Sequence, residues 1–316
     1  MAQAHASRRL AVLVSVVTAL ACCALSGCAS YPSVEEALGN TSAARTLSDG
    51  ATLEAGVLTV GVNAYNAPYA WATSSDDPST LTGVDVDTAL ALADQLGLTV
   101  RFVNVGSNYD AAARSVCDVV MGVTANQLPG TEVLEGNYLE SAPAIFAKNS
   151  TAVPTADELN ASLVGVQTDS ASARALSAAA PSAQLVSYAT LNDAFAALDA
   201  GAVAYVACDS FMGGYLATGY ASINLVGGLA LPESRGVAVS ATNVELQSAI
   251  LSALDAISTN GIQQAIRHSW VGSLSYITVN NLVAADTAAE ATAEGEGEPA
   301  AVEGEAAVEG EAAPAA

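Results

Sequence analysis

A chain of 316 residues is long enough for two lobes of ordinary domain size, and although 52% of it is hydrophobic only 5% is aromatic, so alanine and valine build much of the core. Its net charge of −23, from 32 acidic residues against nine basic ones, excludes the clustered cations that nucleic acid or an anionic membrane surface requires. His5 and His268 are the only histidines, and only Cys117 and Cys208 of five cysteines fall in the body of the chain, so no zinc-type spacing or disulfide framework is present and no metal or cofactor is expected.

The chain begins with an address. Arg8 and Arg9 precede an apolar run over residues 10–25, broken by Ser15, Thr18 and the pair Cys22 and Cys23, and the run ends in Leu25-Ser26-Gly27-Cys28. A positive start, a short apolar stretch and small residues at its end describe a secretory signal. The stretch is short for a membrane span, although an uncut signal anchor is the alternative. The Leu-Ser-Gly-Cys ending resembles a bacterial lipobox, in which small residues fit the signal peptidase and the Cys28 thiol accepts a diacylglycerol. Removing residues 1–27 leaves seven basic residues against 32 acidic ones, a net charge of −25. Residues 28–52 mix Ser, Thr, Asn, Gly and charge with little periodicity and read as a tether.

Strand and helix signals then alternate. Residues 57–62 read as a strand, and Asp85 or Asp87 caps a helix with apolar positions at Val86, Ala89, Leu90, Ala93 and Leu96, stopped by Gly97. Residues 99–105 form a second strand, residues 109–116 a helix, and residues 118–123 a strand apolar on both faces. The middle repeats the theme with strands at 163–167, 183–188 and 203–208 and helices at 171–179, from Thr190 to before Gly201, and from about Ser210. Thr190-Leu-Asn-Asp193 resembles a capping box. Short strands at 223–226 and 236–240 and helices at 244–258 and 262–270 close the body. From Asp286 the chain is Ala, Glu and Gly with two prolines and an imperfect Ala-Val-Glu-Gly-Glu repeat, expected as a disordered acidic tail.

Alternation of this kind implies an α/β fold with mostly parallel sheets flanked by helices, and ligands then sit beyond the carboxyl ends of strands. Four loops follow such ends. The first holds Tyr65, Tyr69 and Trp71, whose faces bracket an apolar group or a cation, or pack the loop onto the sheet. The second holds Thr124, whose hydroxyl and the backbone of nearby Gly122 suit a polar head group. The third, Thr168-Asp-Ser-Ala-Ser172, lies at a helix N-terminus suited to an anion, or is an ordinary cap by Asp169 or Ser170. The fourth holds Asp209, which can pair with a ligand ammonium, cap the next helix, or both. Cys117 and Cys208 flank these strands and are expected as buried free thiols, although a bridge between them would lock the hinge.

These pieces form a series. Leu58-Thr-Val-Gly-Val62, Pro68-Tyr69, Leu81-Thr-Gly-Val-Asp-Val-Asp87, Gly122-Val-Thr124, Val164-Gly-Val-Gln167, Val206-Ala-Cys-Asp209, Gly236-Val-Ala-Val239 and the segment 261–270 resemble the bacterial extracellular solute-binding proteins, family 3, the polar amino-acid receptors of ABC importers. The resemblance implies a two-lobed type II periplasmic-binding-protein fold with two hinge crossings. Lobe 1 would be residues 53–144 plus 237–272, lobe 2 residues 145–236, and residues 273–316 an extension. It also implies a monomer anchored to the membrane through lipid on Cys28, docking an ABC permease and holding a small polar solute between its lobes.

Carried over to this chain, Tyr65, Tyr69 and Trp71 match the aromatic wall, Gly122 and Thr124 the lobe 1 grip, Thr168, Ser170 and Ala171 the lobe 2 loop, and Asp209 the acid for a ligand ammonium. The family usually places an Arg a few residues after the position of Thr124; here Gln127 stands there, and no basic residue follows until Lys148. A neutral or cationic ligand is one consequence. A carboxylate held by backbone N–H groups or by Arg235 is another, with Arg235 otherwise expected as an exposed hinge charge. The competing readings are a sensory or partner-binding surface module and a cleft dehydratase using Asp85, Asp169 or Asp209.

Overall fold

The computed structural model describes residues 44–73, 80–106, 115–128 and 130–283. The signal segment, Cys28, the helix expected at 109–116 (apart from its last two residues) and the acidic tail lie outside them. In chain order the elements are β1 Val57–Val62, the short strands β2 Tyr65–Asn66, β3 Ala70–Ala72 and β4 Leu81–Thr82, α1 Val84–Leu96, β5 Thr99–Asn104, β6 Val119–Val123, β7 Glu132–Ser141, β8 Pro143–Lys148, α2 Ala156–Asn160, β9 Leu163–Gln167, α3 Ala171–Ala179, β10 Gln184–Tyr188, α4 Leu191–Asp199, β11 Tyr205–Asp209, α5 Ser210–Ala217, β12 Ile223–Gly228, β13 Glu233–Ser240, α6 Val244–Thr259 and α7 Ile262–Val271.

Two five-stranded sheets result, ordered β5-β1-β6-β13-β7 and β10-β9-β11-β8-β12. In each, three parallel strands meet two antiparallel ones, so four strands of five run in one direction. The reversed strand is the one that carries the chain into or out of the second sheet. β7 ends in the first sheet at Ser141 and β8 begins in the second at Pro143, with Ala142 between them; β12 and β13 make the return crossing. The two-lobed architecture follows from those crossings.

Strand alternation divides the second lobe's core. Phe146 and Val206 pack with Phe195 and Leu198 on one face, while their neighbours Ile145 and Ala207 pack with Leu159, Val164 and Leu176 on the other. In the first lobe Leu58, Leu92, Met121, Leu246 and Ile250 are fully buried between α1, α6 and the sheet.

Several starts and ends differ from the sequence reading. Neither Asp85 nor Asp87 caps α1. Gly83 is the N-cap, with φ 140° and no side-chain bond, and the first-turn N–H groups of Val84 and Asp85 donate instead to the carbonyls of Pro68 (3.1 Å) and Tyr69 (2.9 Å). The chain in front of the helix does the capping, which frees both acids for other partners. Thr190 does cap α4 by accepting from Asp193 N, but its hydroxyl then donates to the Asp193 carboxylate, so the reciprocal half of a capping box is missing. The long crossing strand β7 was not read from the sequence: it lies at a sheet edge, its burial is mixed, and Gly136 at φ 53° interrupts its alternation. Residues 44–52, read as the end of a tether, lie on the first lobe. Leu47 and Ala51 are buried there, Ser48 donates to Glu245, and Asn243 donates to the Ala51 carbonyl.

The segment after α7 makes a third link between lobes. Leu274 packs on Gly214 of α5, Ile277 on Gly228 at the end of β12, and Val283 N donates to the Gly228 carbonyl at 2.8 Å. A side chain at Gly228 would meet Ile277 at 2.5 Å, so the close approach depends on glycine there. Ile277 is buried in the second lobe's core, and its truncation to alanine is expected to cost about 2–4 kcal/mol. Urea unfolding measures this; a change below about 0.5 kcal/mol would show that the strap is undocked in solution.

Candidate functional site

Tyr69 stands at the meeting point of the lobes. It belongs to the β2–β3 hairpin of the first lobe, and its ring is only 2% exposed. The ring stacks on Phe211 of α5, centroids 5.5 Å apart at 28°, and the Arg235 guanidinium lies 4.4 Å from its centroid. The hydroxyl donates to Asp209 Oδ1 at 2.9 Å. That oxygen also accepts from Phe211 N (3.0 Å) and Met212 N (2.9 Å), so Asp209 caps α5 and binds across the lobes at once. Burial, and then the Asp209 charge, push the Tyr69 phenol well above its usual pKa, so it remains a donor. Asp209 Oδ2 has no hydrogen-bond partner among the described residues.

Gly122 and Thr124 lie beside this group at the end of β6. Gly122, at φ 74°, offers its carbonyl to Arg235 Nη1 at 3.1 Å, and a Cβ there would sit 2.8 Å from Asp85 Oδ2. Thr124 is turned inward: its N–H and hydroxyl both donate to Gln127 Oε1, at 3.0 and 3.2 Å. Gln127 therefore closes the turn after β6. Asp85 is buried and accepts from Tyr138 OH at 2.7 Å.

Arg235 departs from the expectation of an exposed hinge charge. It is half-buried, because β13 lies between β6 and β7 and a bulge between Arg235 and Val237 redirects the strand there. Burial disfavours its charge, but Tyr69, Asp209 and Asp85 around it raise its pKa on balance, and it stays protonated.

The other sequence candidates lie apart. Tyr65 is 83% exposed. Trp71 packs on Tyr215 of α5 and, edge to face, on Trp270 of α7 at 5.3 Å, and Trp270 donates to Asp87. In the second lobe Thr168 N and Oγ both donate to the Tyr188 carbonyl, Ser170 accepts from Ala173 N as the cap of α3, and Ala171 is exposed. None of the three bonds to Tyr69, Asp209 or Arg235. Phe211, Tyr138 and Ser141 join the group without having been singled out from sequence; Phe211 alone gave a signal, as one of four phenylalanines, two residues after Asp209. Cys117 and Cys208 are buried and are not joined in a disulfide, and no cluster of three metal-ligating side chains occurs among the described residues.

The sequence matches the family description "Bacterial extracellular solute-binding proteins, family 3" over residues 58–273, more than half of the chain. The chain belongs to this family. Solved structures share its fold. An ancestral cationic amino acid solute-binding protein is 23% identical with a TM-score of 0.60, covering 68% of this chain and 96% of its own. The L-cystine solute receptor of Neisseria gonorrhoeae, in its unliganded open conformation, is 21% identical with a TM-score of 0.58, covering 69% and 93%. A polar amino acid ABC uptake transporter substrate-binding protein from Streptococcus thermophilus is 18% identical with a TM-score of 0.60, covering 77% and 93%. No curated protein matches significantly in sequence. Membership makes the chain an extracytoplasmic binding protein and not an enzyme.

In this solute-binding protein Asp85 carries a pH signature. Burial pushes its carboxyl up to about 6, while the Tyr138 hydrogen bond and the Arg235 charge act in the lowering direction. The folded pKa lies above the unfolded one, so protonated Asp85 suits the fold and ionised Asp85 strains it. The penalty is absent below about pH 4, grows as pH rises, and levels above about pH 6 at roughly 3 kcal/mol. Asp85→Asn keeps an acceptor for Tyr138. Relative to that variant, the wild type is expected to lose up to about 3 kcal/mol between pH 4 and pH 7.5. Urea unfolding of both proteins at the two pH values decides; parallel changes would mean that Asp85 does not titrate in this range.

Proposed function

We propose that this chain is the lipid-anchored substrate receptor of an ABC importer and that it captures an amino acid or related small amine between its lobes. The observation that supports this best is the Tyr69–Asp209 contact. A carboxylate at the end of a second-lobe strand accepts from the hydroxyl of a first-lobe tyrosine, and its other oxygen has no hydrogen-bond partner among the described residues. A carboxylate oxygen with room for a further donor is the chemistry of an ammonium site. The proteins that share the fold are named for cationic amino acids, L-cystine and polar amino acids.

In this reading the lobes are residues 53–144 with 237–272, and residues 145–236. Closure over the solute brings Thr168, Ser170 and Ala171 toward Gly122 and Thr124, with Tyr65 and Trp71 at the rim, and the importer distinguishes the closed state. Cys28 carries the lipid, residues beyond it space the body from the membrane, and the receptor is a monomer.

Residues 29–316, purified without lipid, should be heated in the presence of each amino acid and a set of small amines. At a hundred times its Kd a ligand adds about 2.7 kcal/mol, which raises the melting temperature by roughly 5–10 °C. No shift with any compound would remove the receptor reading. Radiolabelled fatty acid should enter the full chain in a bacterial host and should not enter Cys28→Ser; equal labelling would remove the anchor.

A further inference from the structure

The two crossings between the lobes meet at one place. Leu229 N, just past β12, donates at 2.8 Å to the carbonyl of Pro143, the first residue of β8, and Gly228 pairs with Ala144. Two crossings held side by side act as one hinge and leave the lobes free to swing about it. The strap after α7 attaches the lobes at further points. Its residues 274–283 lie past the segment that the family description covers, which ends at residue 273.

The strap leaves the first lobe at Gly272, the C-cap of α7, whose Ile262, Ile266 and Val271 are buried in that lobe's core. Leu274 is held from both sides. Its carbonyl accepts from Arg267 Nη2 of α7 at 2.7 Å, and its side chain packs against the cores of both lobes. It meets α5 at Gly214, where a Cβ would lie 2.5 Å from Leu274 Cδ2. The same helix buries Phe211 in the first lobe's core and sets Tyr215 against Trp71 and Trp270. Farther along, Ile277 and Val283 are buried in the two cores of the second lobe, one on each face of its sheet. Between them the strap is stiff: Thr278 N donates to Asn281 Oδ1, the Asn281 amide donates to the Tyr276 carbonyl, and Val283 N donates to Gly228.

Chain length sets the consequence. Ile277 is five positions past Gly272, so the strap between them spans at most about 18 Å, and Leu274 stays within about 7 Å of the end of α7. Parting the lobes beyond that reach pulls Leu274 off Gly214, breaks its bond to Arg267, or draws Ile277 out of its core.

We infer that residues 274–283 are a hinge stop that limits how far the lobes part and holds the unliganded protein near its closed arrangement. A protein held there gives up less of its binding energy in closing over a solute. The restraint stands on the geometry of the strap; its aid to capture rests on the receptor reading above.

The test lengthens the strap without disturbing what it packs on. Four glycines inserted between Gly272 and Ser273, where the chain is exposed, add up to about 14 Å of slack. Spin labels on Ala125→Cys and Ala171→Cys, exposed just past the carboxyl ends of β6 and β9 on opposite lobes, report the opening in residues 29–316 without solute, while Cys117 and Cys208 are buried away from the label. The insertion should lengthen the mean distance by more than about 2 Å and broaden its distribution. The same distribution with and without the insertion overturns the hinge stop. Hydrogen exchange on the wild type needs no variant: the Asn281 and Val283 amides should be protected, and exchange at the rate of a free chain overturns the inference as well. The insertion should also weaken capture of whichever compound stabilises the wild type by about fivefold or more. Unchanged affinity beside a lengthened distance overturns the aid to capture and leaves the restraint. No binding of any compound by the wild type overturns the receptor reading and the aid to capture with it, while the distances still decide the restraint.

Discussion

Asp209→Asn should leave the protein folded and nearly abolish solute capture. Asparagine caps helices about as well as aspartate, so the bonds from Phe211 N and Met212 N persist, and its Oδ1 still accepts from Tyr69 OH. What disappears is the charge. Removing one partner of a buried hydrogen-bonded charge pair costs about 2–5 kcal/mol, which corresponds to roughly a 30- to 5,000-fold loss of affinity. Asp209→Ala should behave differently: the helix loses its cap, at about 1 kcal/mol, and the buried Tyr69 hydroxyl loses its acceptor, at about 1–3 kcal/mol. Calorimetric titration and urea unfolding of both variants separate the two roles. Full affinity in Asp209→Asn would take the ammonium site away from Asp209.

Gly83→Ala should be among the most damaging single methyl additions in the chain. Gly83 sits at φ 140° and ψ 166°, a region that L residues essentially avoid. A Cβ there would lie 2.1 Å from the Tyr69 carbonyl oxygen, 2.6 Å from its carbon and 2.8 Å from Ala70 Cα. All three are backbone atoms, so no rotamer change relieves the clash. Strain of about 1–3 kcal/mol and overpacking of similar size together predict a loss of roughly 2–6 kcal/mol. The same shift would break the bonds from Val84 N and Asp85 N to the Pro68 and Tyr69 carbonyls and swing Tyr69 away from Asp209. Solute affinity should fall with stability. Gly106→Ala is the control, since Gly106 also has positive φ (62°) but nothing within 4 Å of its missing Cβ; it should cost only about 1 kcal/mol. Similar losses for the two variants in urea unfolding would show that the clash at Gly83 is relieved.

Elements with strong local signals were legible before any coordinates. The five apolar residues of β6 are buried on both faces, Gly97 ends α1 in the left-handed conformation, and α3 spans the residues its periodicity marks. Asp209 was expected to cap a helix and to face a cleft, and it caps α5 while bonding to Tyr69. β7 escaped because its partner strand β13 lies far along the chain and its own sequence carries little alternation. Arg235 was misread because exposure is the default for an arginine near a hinge, and its inward turn follows from a bulge and two flanking strands.

The sequence by itself determined the alternation of strands and helices and the small-residue composition of the core. Those properties depend on neighbours within a few turns of helix or a few residues of strand, where spacing and side-chain type carry the information. The tertiary structure alone decided which groups meet. Tyr69 and Asp209 are 140 positions apart, and Gly122 and Arg235 are 113 apart. No periodicity links such distant positions; they are joined because the chain crosses between its sheets twice and returns β13 to the first, and that pairing is settled by the packing of the whole molecule.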